Sequence, residues 1–314
     1  MNLEIVGAGP YREWFCSCPF HVYGSPDFLE LNAHKCEEVR YMLFHDSKVR
    51  AGLAVGLKGH ELCSPFSAPF GGWVFPPSTS VKTVYETVDA LCQFVLSSGM
   101  GMCLTLPPAF YSPDTIGKTV TALMGHPDVE MAHTDVNYHF DLETIGREGY
   151  EALLQRNAKK NLAHARRCGL TFEQVHGARG VEEAYRLIAA NRHYKGYPLK
   201  MSLQDVIDTI HVVEADFFVV RQKDETVAAA QVFHVLEDVV QVIYWGGHPR
   251  HEDVRPVNFL AAELVAFYLA RGVRIIDVGP SSEQGIPNFG LCSFKESIGC
   301  QASPKHTFRI KARE

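Results

Sequence analysis

Two stretches of the sequence share one pattern and decide the fold: Ser98-Gly-Met-Gly-Met-Cys-Leu-Thr-Leu-Pro107 and Arg271-Gly-Val-Arg-Ile-Ile-Asp-Val-Gly-Pro280. In each stretch a glycine follows a helical pattern, apolar residues then indicate a short buried strand, and a proline ends that strand. The first stretch begins at position 98 and the second at position 271, an offset of 173. The sequence therefore predicts one strand-and-helix module that is built twice.

The elements of the first copy follow from hydrophobic periodicity and from the positions of glycine and proline. Ser80 is predicted as the N-cap of a helix that Gly99 ends. The predicted elements are strands over 39–45, 50–57 and 70–75, a helix over 81–97, a strand over 102–106, a helix over 113–124 and a strand over 130–141.

The second copy repeats that order after an intervening segment. The segment is predicted as a helix over 149–169, a strand over 170–175 and helices over 181–194 and 203–212. The repeated elements are strands over 217–221, 227–235 and 239–245, a helix over 257–270, a strand over 273–278, a helix over 291–298 and a strand over 306–311. The sequence therefore predicts an α/β (α+β) chain of two tandem domains, 1–145 and 146–314. Each would hold a mixed, mostly antiparallel sheet flanked by helices, with the active site in the second domain.

Composition bounds the class of protein. Of 314 residues, 46% are hydrophobic and 21% are charged, which is enough apolar material for packed cores. A net charge of −6 argues against a surface that binds nucleic acid or anionic membrane throughout. The first ten residues lack the pattern of a secretion signal, no apolar run is long enough to span a membrane, and the nine cysteines are scattered through apolar segments. We expect a cytoplasmic protein with free thiols.

Metal binding is not expected. Cys16, Cys18 and His21 are grouped, but a single residue separates the two cysteines, whereas two or more do so in the usual zinc sites. No second Cys/His pair follows closely. His248 and His251 likewise have no companion ligands. The sequence has no G-x-S-x-G, Walker A or strand-anchored G-x-G-x-x-G motif.

The order of elements in each copy resembles the Gcn5-related N-acyltransferase (GNAT) fold. Two such units in tandem resemble the Fem-type (FemAB-like) family of aminoacyl-tRNA-dependent peptidoglycan peptidyltransferases and their acyltransferase relatives. The segments that carry the resemblance are a basic helix ending in glycine (156–170), a strand and loop (272–279), the Gly-Leu, Phe-Lys and Gly signature (290–299) and Ser-Ala-Pro-Phe-Gly-Gly (67–72).

The resemblance implies an acyltransferase that joins an acyl or aminoacyl group to an amine. The donor would be acyl-CoA or aminoacyl-tRNA, and the acceptor a small-molecule or nucleotide-linked amine, such as a cell-envelope precursor. The position of the CoA pyrophosphate loop, 248–255, lacks the glycines usual there, which argues against ordinary acetyl-CoA binding. The alternatives are a CoA-dependent acetyltransferase acting on a sugar amine or small metabolite, and a non-catalytic binding protein that retains the fold.

Three residues are candidates for catalysis. Lys295, near the mouth of the 279–290 loop, would neutralise a phosphate or the tetrahedral oxyanion; a solvated lysine is the alternative. Asp277 would orient the loop or a cationic partner, or merely cap the strand end. Tyr244 lies on a strand that in this fold separates from its neighbour, leaving backbone groups for the donor; core packing is the alternative.

Other residues are candidates for binding. Arg192 offers a guanidinium fork, and the helix over 156–167 carries five Lys or Arg residues and no acid, which suits a small phosphate ligand better than a long nucleic acid. Asn258 would place an amide and a helix N-terminus near a phosphate, or serve as a cap. The predicted donor-binding residues are Trp245, Arg250, Arg255 and Asn258. The predicted substrate-binding residues are Arg156, Lys160, Arg192, Tyr194 and Tyr197.

Overall fold

The computed structural model describes residues 1–311. In chain order the elements are β1 (Asn2–Val6), α1 (Ala8–Ser17), α2 (Pro26–Leu31), β2 (Glu38–His45), β3 (Val49–Lys58), β4 (Glu61–Ser64), α3 (Val81–Ser98), β5 (Gly101–Thr105), α4 (Pro113–Gly125), β6 (Val129–Asp141), α5 (Leu142–Glu148), α6 (Tyr150–Leu153), α7 (Arg156–Arg167), β7 (Leu170–Val175), α8 (Gly177–Tyr194), α9 (Leu203–Thr209), β8 (Ala215–Gln222), β9 (Glu225–Leu236), β10 (Val239–Gly247), α10 (Pro256–Leu269), β11 (Ile275–Pro280), β12 (Ser282–Glu283), β13 (Ile286–Pro287), α11 (Phe289–Ser297) and β14 (Gln301–Ile310). None of the described helices is long and apolar enough to cross a membrane.

The chain folds into two compact units. Within the described residues, the first unit comprises 1–136, 282–286 and 303–311, and the second comprises Asn137–Ser281 and Pro287–Ala302. The predicted domains 1–145 and 146–314 are each continuous in sequence, whereas the first unit also includes the two short segments 282–286 and 303–311. The domain boundaries stay a prediction.

The first unit is built on a sheet in the order β1-β2-β3-β4-β5-β14-β6. The face of β2 and β3 that carries Met42 and Leu53 packs against α3 and α4. The opposite face packs against α1 and α2 through a cluster that includes Tyr11 and Phe15. Each fully buried large side chain contributes about 1.5–3 kcal/mol, so both layers are needed to hold this sheet.

The second unit has the order β6-β11-β10-β9-β8-β7. The aliphatic side of α8 packs on one face of the sheet, where Phe217 and Ala229 lie. Phe267 of α10 packs edge-on against Phe218 on the opposite face. The centre of β9 is covered on both faces, which explains the unbroken run of small apolar residues Val227-Ala-Ala-Ala230.

Each unit is completed by the strand that ends the other copy. The last residues of β6 pair with β11, with Asp141 opposite Ile275, and so belong to the second unit. The strand β14 pairs with β5 in the first unit, with Thr307 opposite Thr105. Together with the repeated element order, this confirms the predicted α/β (α+β) fold class, with mixed, mostly antiparallel strands flanked by helices in each unit.

Two predicted elements differ from the structure, and strand β1 was not predicted. The third strand of the first copy is β4, not the segment 70–75, which has a single β-bridge to the sheet, between Val74 and Gly52, and a backbone hydrogen bond from Gly71 to Thr105. Phe70 is instead buried in a cluster of aromatic rings with Tyr23 and Tyr111. The predicted helix over 149–169 is α6 and α7, separated by extended backbone at Leu154 and Gln155. Strand β1 was not predicted, because its five residues carry no strict alternation.

A polar cluster joins four elements of the second unit. The Asp216 carboxylate accepts hydrogen bonds from Gln174 and Tyr268, each at 2.7 Å, and lies 2.7 Å from Nε2 of His234. The hydrogen bond to Asp216 raises the pKa of His234. Burial raises the pKa of Asp216, but the hydrogen bonds from His234, Tyr268 and Gln174 and the charge of His234 together outweigh it, so the pKa is lowered. The protonated form of His234 is therefore stabilised by folding.

We expect His234→Gln to weaken the fold in acid more than in alkali. Because the folded-state pKa of His234 is raised above its ordinary 6.5, the stability from this pair is complete below that pH and is lost as the pH rises through the folded-state pKa. Urea denaturation should show a deficit of about 1.5–3 kcal/mol near pH 6 that shrinks toward pH 9. A deficit that does not change with pH would show that the pair is neutral.

Candidate active site

The strands β10 and β11 separate within the second unit. They pair in parallel over only three positions, ending with Gln241 opposite Asp277. Beyond that pair β10 runs on to Gly247 beside β9, and β11 runs on to Pro280 beside β6. We call the separated segments, 242–247 and 278–280, the fork. Backbone N–H and C=O groups lose their ladder partners where strands separate, so other groups must satisfy them.

The β10 side of the fork is distorted and held from outside. The pairing with β9 steps from Val242 to Tyr244, which leaves Ile243 as a bulged residue. At the strand end, the amide of Asn191 on α8 donates to the carbonyl of Gly247 at 2.5 Å. A Cβ at Gly246 would lie 2.5 Å from Oδ1 of Asn191, so this approach requires glycine. Asn191 therefore fixes the outer end of β10.

The β11 side of the fork is held by Lys295 of α11. Its ammonium lies 2.9 Å from the carbonyl oxygen of Val278, 2.8 Å from that of Gly279 and 3.3 Å from that of Pro280. A lysine ammonium has three N–H donors, which matches these three acceptors. Lys295 is only 2% exposed, so the structure places it in the interior and not on a solvated helix face.

Asp277 is fully buried at the point where the fork begins. One carboxylate oxygen accepts from the Asn137 amide at 2.8 Å and from the Gly279 N–H at 2.9 Å. The other accepts from the Gln241 amide at 2.7 Å. Hydrogen bonds to a charged acceptor are about twice as strong as neutral ones. Asp277 therefore ties β6, β10 and the end of β11 together.

The four predicted donor-binding residues lie along the end of β10 and the loop that follows. Trp245 is partly buried beside Phe294, with ring centroids 6.4 Å apart. Arg250 and Arg255 are exposed, and Arg255 adopts left-handed backbone at the N-cap of α10. Asn258 is 9% exposed in the first turn of that helix. All four residues thus lie within 245–258, at the end of β10 and in the segment that follows it.

The loop itself forms a 3-10 helix, Pro249–Val254, and several N–H groups in and beside it have partners within the loop. Arg250 N–H donates to His248 Nδ1 at 3.2 Å, and Arg255 N–H donates to Glu252 O at 3.2 Å. Pro256 then occupies the first helical position and has no N–H. A cradle for a pyrophosphate needs several free N–H groups, and this loop offers few.

Arg192 and Tyr244 lie together on the face covered by α8. The guanidinium stacks 4.8 Å from the centre of the Tyr244 ring, and its Nε donates to Pro198 O at 2.9 Å. Burial lowers the pKa of Arg192 and raises the pKa of Tyr244. Tyr197 is exposed, and its hydroxyl accepts from Asn288, the N-cap of α11, at 3.2 Å. Tyr194 is 68% exposed.

Arg156 and Lys160 both lie exposed on α7. The Gln155 N–H, at the start of this helix, donates to Ser297 O at 2.9 Å, which joins α7 to the end of α11. Arg166, on the same helix, forms an ion pair with Glu151. The structure does not bring the predicted pair Arg156 and Lys160 into contact with the residues of the fork.

Of the cysteine and histidine grouping in the first unit, only His21 is fully buried. His21 is 1% exposed beneath Phe70, and burial lowers its pKa to about 3. Cys16 is exposed on α1. Among residues 1–311, no group of three or more His, Cys, Asp or Glu side chains is arranged to hold a metal ion.

In the first unit, the gap between the equivalent strands β4 and β5 is filled by the segment that follows β4. Strands β4 and β5 pair in parallel up to Ser64 and Leu104. The segment 65–75 then returns along β5, where the Gly71 N–H donates to Thr105 O at 2.9 Å. Gly72 N–H donates to Ser64 Oγ at 3.0 Å. Because this edge is occupied, the fork of the second unit is the better candidate for a site.

Four contributors to the site were missed from sequence: Asn137, Asn191, Gln241 and Asn288. Each is an amide in an apolar strand or at a helix end, and a single amide has no distinctive spacing. A signal existed for Gln241, because it interrupts the apolar run of β10 as Asp277 interrupts that of β11. Polar residues in two buried strands indicate that they satisfy each other.

Gly246→Ala is expected to destabilise the protein by about 1–3 kcal/mol, because the new Cβ overpacks against Asn191. Gly117→Ala is the matched control: a methyl group at this exposed helical glycine of α4 would have no neighbouring atom within 4 Å. That control should be neutral or more stable by up to about 1 kcal/mol. Equal effects in thermal denaturation would contradict the role given to Asn191.

No protein-family model and no curated protein matches the sequence. Solved structures do match it over nearly the whole chain. FemX superposes with a TM-score of 0.69 at 10% identity, covering 99% of this chain and 97% of FemX. L-PGS from Bacillus licheniformis gives 0.60 at 13% identity, with 99% and 94% covered. A tandem GNAT protein from the clavulanic acid biosynthesis pathway gives 0.55 at 9% identity, with 100% and 99% covered. The chain therefore has the Fem-like tandem GNAT fold.

Proposed function

We propose that the protein transfers an acyl or aminoacyl group from an activated donor to an amine, with the donor carbonyl held in the fork. The observation that carries this proposal is the three-residue pairing of β10 and β11, which leaves backbone groups of 242–247 beside a separated strand. An extended donor can hydrogen-bond to such an edge as an added strand would. The likeness to FemX and L-PGS supports the same class of reaction.

In this reaction the amine nitrogen attacks the donor carbonyl and forms the new C–N bond. The C–O bond of an ester donor breaks, the alkoxide leaves with a proton, and the amine loses one. Because the donor is already activated, alignment and a hydrogen bond to the developing oxyanion supply most of the acceleration. Backbone N–H groups of β10 near the bulge at Ile243 are our candidates for that hydrogen bond.

We propose an aminoacyl-tRNA in preference to acyl-CoA as donor. The 3-10 helix after β10 uses its own N–H groups and is followed by Pro256, which leaves a poor cradle for the CoA pyrophosphate. The exposed Arg250 and Arg255 remain to contact a phosphate of the donor. Arg192, Tyr194 and Tyr197 are proposed for the acceptor, and an amine on a cell-envelope precursor fits the Fem resemblance.

Lys295 is proposed as a positioning residue, since its three donors are directed at three carbonyl groups of β11. Lys295→Met should lower kcat by about 100-fold, because the end of β11 loses the cation that orders it. The assay is amide formation from labelled aminoacyl-tRNAs and a panel of envelope-precursor amines. Lys82→Met, at an exposed lysine of α3, is the control and should match the wild type. Wild-type turnover by Lys295→Met would remove Lys295 from the mechanism.

Acetyl-CoA is expected to leave the melting temperature unchanged, because the loop offers few free N–H groups for the pyrophosphate. A ligand present at 100 times its Kd adds about 2.7 kcal/mol of stability, which thermal denaturation detects readily. A clear upward shift with acetyl-CoA, together with acetylation of a sugar amine, would favour the CoA-dependent alternative.

A further inference from the structure

Gln241 is a buried amide at the last paired position of β10 and β11. It is 3% exposed and its partner Asp277 is fully buried. Nε2 of Gln241 donates to Oδ2 of Asp277 at 2.7 Å. The two residues face each other in register, so this side-chain bond crosses the strands at the position where their backbone pairing ends.

The same carboxylate also shapes the end of β11. Its Oδ1 accepts from the N–H of Gly279, where the strand register shifts and the backbone has φ +73°. Asn137 on β6 donates to that same oxygen at 2.8 Å. Lys295 binds the three carbonyl groups that follow. The side chains of Asp277 and Lys295 therefore bind the backbone of β11 within the fork. Asp277 connects this arrangement to β10 through Gln241.

The first unit handles its last pair differently. There Ser64 lies opposite Leu104, and the Ser64 hydroxyl accepts from Gly72 of the segment that fills the edge. The amide-to-carboxylate bond between strands occurs in the second copy. There the segment that follows β10 does not occupy the edge of the separated strand, as segment 65–75 does in the first copy. This contrast points to a role in holding the strands at a fixed separation.

We propose that the Gln241–Asp277 hydrogen bond sets where β10 and β11 part, and that Gln241 is a positioning residue for the donor. The inference rests on the proposed function for its kinetic consequence. Gln241 does not touch the reacting atoms. It holds the two walls of the fork in register, so its loss moves the donor carbonyl relative to the backbone donors of β10. A displacement of about 1 Å costs on the order of 100-fold in rate.

The test exchanges the partners of the bond. Gln241→Glu places two carboxylates together and should raise the donor KM and lower kcat, for a fall of about 100-fold in kcat/KM. In Asp277→Asn, Oδ1 still accepts from Asn137 and Gly279, and the Gln241 amide can flip so that its oxygen accepts from the new Nδ2. This variant should therefore keep at least a tenth of the wild-type kcat/KM. The double variant Gln241→Glu with Asp277→Asn restores an amide-to-carboxylate bond and should return to the level of Asp277→Asn.

Gln231→Leu is the matched control. Gln231 is a fully buried glutamine on the neighbouring strand β9, and its amide has no hydrogen-bond partner among the described residues. This variant should keep wild-type kinetics and stability. The acceptor KM should not change in any of the four variants.

Two outcomes overturn the proposal. Complete loss of activity in Asp277→Asn would indicate that Asp277 is a catalytic carboxylate. A double variant whose kcat/KM is no higher than that of Gln241→Glu would show that the bond itself is unimportant. If the wild type transfers nothing from any donor, the proposed function fails, and amide hydrogen exchange decides the inference instead. Exchange at 239–241 and 275–277 should then be about tenfold faster in Gln241→Glu and recover in the double variant; unchanged exchange would refute it.

Discussion

The unpaired backbone at the parting of β10 and β11 is the constraint on which the rest of the second unit depends. A strand edge inside a protein must satisfy each N–H and C=O group, or lose free energy comparable to a hydrogen bond for each one. On the β11 side, one lysine and one aspartate replace the missing strand. On the β10 side, α8 supplies one amide at the far end and the strand bulges between. The asymmetry leaves β10 as the edge at which we propose that the donor binds.

Comparison of the two copies explains why the strands separate openly only in the second one. The two copies share an element order, yet the first copy uses its own segment 65–75 to occupy the position that the second leaves between strands. Rings such as Phe66 and Phe70 are buried there, and glycine at 71 allows the close approach, since a Cβ would lie 2.5 Å from the Ser64 hydroxyl. The candidate site therefore lies in the second copy.

The repeat was predictable from sequence because it depends on features with strong local causes. Gly99 and Gly272 both adopt positive φ after a helix, where glycine is strongly favoured, and the apolar residues that follow are buried. The position of Lys295 near the fork was predicted, but its burial was not, because lysine is rarely buried and its three acceptors are backbone atoms without a sequence signature. The strand over 70–75 was wrong for a related reason: aromatic alternation predicts burial but does not tell whether a sheet or an aromatic cluster provides it.

The exchanged terminal strands have a consequence for biosynthesis. β14 lies between β5 and β6 in the first unit, although it is the strand that ends the second copy. During synthesis the first copy therefore keeps two strand edges unsatisfied until the second copy has also been made. Exposed edges of this kind invite pairing with other chains. A nascent chain stalled before Gln301 should thus depend on chaperones, although the other strands of the first unit have already been made.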